Sequence, residues 1–126
     1  MYPDDVKYTE SHEWVRVVDG LATIGITDYA QEELGDIVNV ELPEPGTVVR
    51  AHEAFGSVDS VKAVSDLLSP VTGEVVEVNE DLEGSPELIN QEPYGTGWLI
   101  IVRMDDTSEL NELMDSEAYE RFVEAE

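Results

Sequence analysis

The chain contains two lysines, Lys7 and Lys62, and only the second sits in a context that suggests chemistry. Lys62 lies within Asp59-Ser60-Val61-Lys62-Ala63-Val64-Ser65-Asp66, which reads the same in both directions except for its central Lys-Ala pair. If that pair forms a hairpin tip, Val61 faces Val64, Ser60 faces Ser65 and Asp59 faces Asp66. The lysine amine is then held at a rigid, protruding corner between two strands, a good place for an attachment enzyme to reach. Lys-Ala lacks the Gly or Asn that two-residue hairpins prefer, and facing aspartates repel each other; both oddities point to function overriding local preference. The alternative is a solvated turn lysine paired with nearby aspartates.

Other chemistries find little support. The chain has no cysteine, so disulfides, thiolate metal sites and a cysteine nucleophile are excluded, and any sulfur chemistry must be imported. His12 and His52 each precede a glutamate, but no HExxH pattern or other spaced ligand set accompanies them, so surface or supporting histidines are expected rather than a metal site. Trp14 and Trp98 read as core anchors. There is no Gly-rich phosphate loop and no nucleophile elbow.

The elements that must position Lys62 are mostly strands. Trp14 to Val18, Leu21 to Ile26 and Ile37 to Leu42 are Val- and Ile-rich runs bounded by Asp, Gly and Pro. Asp19-Gly20 predicts a tight turn between the first two. Asp28 and Gln31 have capping-box spacing and Gly35 supplies a stop, so a short helix is expected near 28–34. Val48-Val49, Ala54 to Val61, Val64 to Leu68, Gly73 to Val78 and Trp98 to Val102 continue the strand pattern, with the lysine hairpin spanning about 54–68. From about 107 to 125 the apolar spacing of Leu110, Leu113, Met114 and Phe122 turns helical, with Thr107 and Ser116 as expected N-caps. Pro43-x-x-Gly46-x-Val48-Val49 recurs as Pro70-x-x-Gly73-x-Val75-Val76, which suggests two similar half-units.

At 126 residues with 41% apolar composition, one domain over 1–126 with a real core is expected. Thirty acidic against six basic side chains give a formal charge of −24, which repels phosphate backbones and anionic membranes and excludes nucleic-acid binding. No segment reads as membrane-spanning, and Met1 to Glu10 has neither a basic start nor an apolar stretch, so the cytoplasm is the expected location. Self-repulsion this large is screened when the Debye length falls to ~3 Å near molar salt, which points to a halophilic source; the alternative is an ordinary acidic cytosolic protein.

Motifs along nearly the whole chain carry a family resemblance. Ser11-His12-Glu13-Trp14, Gly25-Ile26-Thr27-Asp28, Leu34-Gly35-Asp36, Glu41-Leu42-Pro43, Ser60-Val61-Lys62-Ala63, Gly73-Glu74-Val75, Leu88-Ile89-Asn90, Pro93-Tyr94 and Gly97-Trp98 occur in the order of the glycine cleavage system H-protein family. The chain resembles that family, with Asp59 standing where such proteins usually have Glu three residues before the lysine. The resemblance implies a mainly β fold, a hammerhead-like lipoyl/biotinyl barrel of short strands with quasi-two-fold halves. Biotin carriers share that architecture but typically flank the lysine with methionines, whereas Val61 and Ala63 stand here, so lipoate is the expected group on Lys62.

By the same resemblance the protein is not an enzyme but a carrier subunit. Through lipoyl-Lys62 it takes the aminomethyl group of glycine from glycine decarboxylase, which uses pyridoxal phosphate, to an aminomethyltransferase that uses tetrahydrofolate. Dihydrolipoamide dehydrogenase reoxidises the arm, and a lipoate attachment enzyme installs it. The loaded arm needs protection from water and a partner for its cationic end; Glu13 is the first candidate by family position, with Ser11 and Asp66 as neighbours. The competing expectation is a lipoate-relay carrier that donates lipoyl groups to other enzymes.

Overall fold

The computed structural model describes residues 2–126; Met1, which belongs to the expected domain, lies outside the described residues. Short Val- and Ile-rich segments pair into two antiparallel sheets. The larger has the order β1 (Lys7–Tyr8), β2 (Glu13–Val18), β3 (Leu21–Ile26), β9 (Ile100–Met104), β8 (Gly73–Val78), β5 (Val48–Val49), and the smaller the order β4 (Ile37–Glu41), β6 (Ala54–Ser60), β7 (Val64–Leu68). Their facing sides bury Ile24, Ile26, Ile37, Val58, Leu67, Val75, Ile100 and Val102 in one core. The expected mainly β, barrel-like class is what the chain adopts. Among the described residues no helix is long and apolar enough to cross a membrane.

The turn between β2 and β3 is the one Asp19-Gly20 predicts. Both residues have positive φ, 54° and 78°, and Val18 pairs with Leu21 across it, the geometry whose twist matches a right-handed strand pair. Helix α1 (Asp28–Leu34) starts one residue earlier in its capping than the spacing suggests: Thr27 is the N-cap and accepts from Ala30 N–H, while Asp28 instead accepts from the Gln31 amide at 2.8 Å. Gly35 ends it as expected.

Three other expectations shift. Two one-turn helices, α2 (Asp81–Gly84) and α3 (Leu88–Gln91), occupy a stretch that carries no readable period, and each buries one apolar residue, Leu82 and Ile89. The last strand begins at Ile100 rather than Trp98. At the C-terminal end the caps are Asp106 and Asp115, each one position ahead of Thr107 and Ser116, because a carboxylate accepts the free amides of Ser108 and Ala118. A 3-10 turn (Thr107–Glu112) and helix α4 (Ser116–Glu124) follow. Tyr119 of α4 stacks on Tyr8 at 4.5 Å in a second cluster with Val6 and Trp14.

The sequence echo has a structural counterpart. Its two copies lie against each other, with Val48 opposite Glu74 and Val49 opposite Gly73, while Gly46 N–H donates to Val75 C=O and Val75 N–H to Thr47 C=O.

Candidate functional site

The hairpin of β6 and β7 carries Lys62 at its tip, but the tip lies one residue closer to the N-terminus than expected. Asp59 faces Val64, Val58 faces Ser65 and Ser57 faces Asp66, and Ser60 N–H donates to Ala63 C=O, so the two-residue turn is Val61-Lys62. The expected pairs Val61–Val64, Ser60–Ser65 and Asp59–Asp66 do not form. Both registers put Val58 and Leu67 inside, so apolar alternation does not distinguish them. Turn chemistry does: the Ser60 hydroxyl oxygen accepts from Lys62 N–H at 3.2 Å and Ala63 N–H at 3.0 Å, a side-chain substitute for the backbone twist that Asn-Gly would supply. Neither Val61 nor Lys62 has positive φ. The shift also separates Asp59 from Asp66, which removes the anticipated repulsion.

Lys62 is exposed, as are Val61 and Val64 on either side at 68% and 72%. No carboxylate lies within 4.0 Å of its amine among the described residues, so the aspartate-paired turn lysine of the alternative reading is absent. The tip is nonetheless fixed. Val61 N–H donates to Asp36 C=O at 3.0 Å, and Lys62 Cε passes 3.6 Å from the point where a Cβ on Gly35 would stand.

At the other end of the hairpin the structure brings Ser11 and Glu13 together. Glu13 shares a face of β2 with Val15 and is 2% exposed. One carboxylate oxygen accepts from Thr9 Oγ1 at 2.8 Å and from Ser11 Oγ; the other accepts from Leu68 N–H at 3.1 Å. Glu13 thus ties β2 of the large sheet to the end of β7 in the small one. Burial pushes its carboxyl above the ordinary value, against the downward pull of the Ser11, Thr9 and Leu68 hydrogen bonds.

Thr9, Ser11 and Leu68 also line a cleft of about 500 Å³, together with Tyr8, Glu10, His52 and Met114. Glu13 lies behind these residues and does not line the cleft itself. Asp66 is exposed and does not join the Ser11–Glu13 pair; it sits two residues before Leu68, on the same face of β7, between the tip and the cleft. His12, at φ 74°, turns the other way and pairs its Nδ1 with Tyr119 Oη at 2.8 Å.

One residue of the site goes unnoticed in the sequence except as part of a family motif. Asn90 of α3 donates to Gly35 C=O and to Gln31 Oε1, each at 2.9 Å, and accepts from Ile37 N–H at 2.9 Å. Its partners are more than fifty residues away along the chain, which no local pattern reports.

Comparison with known proteins agrees with this layout. A family model described as "Glycine cleavage H-protein" matches residues 6–126. A glycine cleavage system H protein of Brevibacillus brevis is 57% identical over 122 residues, covering 97% of each chain. A probable glycine cleavage system H protein of the archaeon Haloarcula marismortui is 52% identical, over 97% of this chain and 96% of the other. The crystal structure of a glycine cleavage system H protein from Mycobacterium marinum superposes with a TM-score of 0.86 at 42% identity, covering 93% of this chain and 94% of that one.

Proposed function

This chain belongs to the glycine cleavage H-protein family, and on that premise we propose that it is the lipoyl carrier of the glycine cleavage system, with Lys62 as the point of attachment. The observation that carries the assignment is a primary amine with no carboxylate partner among the described residues, at the tip of a pinned hairpin. The donor chemistry fits, because an exposed primary amine can be joined to a carboxylic acid as an amide that persists through many turnovers. When bound, lipoate supplies a disulfide able to take up the aminomethyl carbon of glycine and release it again, chemistry for which this cysteine-free chain has no group of its own.

The polypeptide's own work is presentation and shelter. Ser60 and the Asp36 carbonyl hold the tip. Val64, Asp66 and Leu68 lead from it along one face of β7 to the cleft, where Thr9 and Ser11 present hydroxyls. Asp66, on that path, and Glu13, behind the hydroxyls, are the carboxylates that would hold a cationic end-group, and Ser11 is the hydroxyl between cleft and charge. A buried carboxylate whose pKa is raised and whose partners are all neutral hydrogen-bond donors is a group that gains from a cation.

The partners of this reading are a pyridoxal-phosphate glycine decarboxylase, a tetrahydrofolate-dependent aminomethyltransferase, dihydrolipoamide dehydrogenase and a lipoate attachment enzyme. The formal charge of −24 suits work in a salt-rich cytoplasm, where it is screened. The test is reconstituted glycine cleavage with lipoylated wild type and with Lys62→Arg, each followed by intact-mass spectrometry. Wild type is expected to gain one lipoyl group and sustain carbon transfer; the variant is expected to do neither. Carbon transfer by Lys62→Arg would refute the assignment.

A further inference from the structure

The exposed lysine rests on a support built by three separate segments. Val61 N–H meets Asp36 C=O at 3.0 Å, so the orientation of the tip depends on the link between α1 and β4. That link has little rigidity of its own, since Gly35 lies at φ 80° and ψ −158°, a region nearly confined to glycine. Gly35 N–H caps α1 by donating to Gln31 C=O at 3.0 Å, and Ile37 pairs with Ser60 of β6; between these anchors the Asn90 side chain donates to Gly35 C=O and accepts from Ile37 N–H. These two bonds bracket Asp36 and leave its carbonyl aimed at the hairpin. A third bond, to Gln31 Oε1 at 2.9 Å, orients the amide so that its nitrogen and oxygen cannot exchange places without losing partners.

We infer that Asn90 is a positioning residue for modification of the carrier: through the Gly35–Asp36 link it holds the tip of the hairpin in the orientation in which an attachment enzyme takes Lys62. This deepens the carrier reading and rests on it. A residue that merely closed the end of α1 would affect melting but not the enzyme's use of the lysine. A residue that sets the pose of the tip makes the attachment enzyme order a loose tip at each encounter, and the cost appears in KM.

The experiment compares the full-length wild type with Asn90→Ala and Asn90→Asp, each well below its own melting midpoint. A lipoate ligase with lipoate and ATP modifies the proteins, intact mass gives the rate, and hydrogen exchange at the Val61 amide reports on the tip. A small N-hydroxysuccinimide ester serves as a non-enzymic acylating probe of Lys62. For Asn90→Ala the ligase kcat/KM is expected to fall about tenfold, mostly through KM, with faster Val61 exchange and unchanged labelling by the small ester. Asn90→Asp keeps the acceptor for Ile37 N–H but loses the donor to Gly35 C=O, and it should fall between the two, which keeps the inference testable if the alanine variant does not fold. An unchanged ligase kcat/KM, or unchanged Val61 exchange, in a folded variant overturns the inference. Failure of the wild type itself to accept lipoate at Lys62 would overturn the carrier reading, and this inference with it.

Discussion

Replacing Glu13 by Gln removes a buried negative charge and keeps its shape. In the native site the carboxylate accepts two hydroxyl bonds and one backbone N–H bond. The Leu68 N–H cannot turn, so the new amide must present its oxygen there and its nitrogen to Thr9 and Ser11, whose hydroxyls rotate from donors to acceptors. Three charge-assisted bonds thereby become neutral ones, a loss of about 1 kcal/mol each. Against this stands the effective penalty for a buried charge, about several kcal/mol. The raised pKa of Glu13 says which dominates, since burial outweighs the hydrogen bonds. Glu13→Gln is therefore expected to be more stable than wild type at pH 7, by about 1–2 kcal/mol, or roughly 3–8 °C in Tm.

The pH dependence has a definite sign. A carboxyl whose folded pKa lies above its unfolded value binds more protons when folded, so its favourable contribution is complete below the unfolded pKa and is lost as pH rises through the folded one. The advantage of Glu13→Gln should thus be near zero around pH 4 and grow toward neutrality. Thermal melts of both proteins from pH 4 to pH 8 in one high concentration of KCl measure it. A variant that melts several degrees below wild type at pH 7, or a difference that does not shrink in acid, would refute the reasoning and leave Glu13 as an ordinary structural latch. On the functional side, the isolated loaded carrier should lose its aminomethyl load faster in Glu13→Gln; an unchanged decay rate removes Glu13 from that role.

Wild-type stability should rise as KCl increases from millimolar to molar, since only six basic groups offset thirty acidic ones; a flat Tm would argue against a salt-adapted surface. Gly25→Ala should cost about 1–3 kcal/mol by overpacking, because the added Cβ would stand 2.6 Å from Trp14 indole carbons, and the near-ultraviolet dichroism of Trp14 should change with it. A variant as stable as wild type would show that the indole has room to move.

Strands were legible wherever Val and Ile were bounded by turn residues, so that Leu21–Ile26, Val64–Leu68 and Gly73–Val78 have the expected limits. The one-turn helices around Leu82 and Ile89 were not, because a single apolar residue per element carries no period. Lys62 stood out from its scarcity and its near-palindromic surroundings, yet the hairpin register did not follow from them, since both candidate registers bury the same residues and a hydroxyl at Ser60 decides between them. The Ser11–Glu13 pairing entered through family resemblance alone. Asn90 lay beyond local reading because its role exists only after α1, β4 and α3 have met.

The Ser60 hydroxyl has a consequence for specificity. At Asp19-Gly20 the backbone itself must adopt left-handed angles, which restricts the residues that can stand there. At Val61-Lys62 an oxygen atom bends the chain instead, and with no positive φ at either residue the apex has no requirement for Gly or Asn. The backbone angles at position 61 are as open to a lysine as those at position 62. On the carrier reading, the choice of 62 over 61 therefore does not come from the backbone angles of the loop, and rests with the surfaces that flank it.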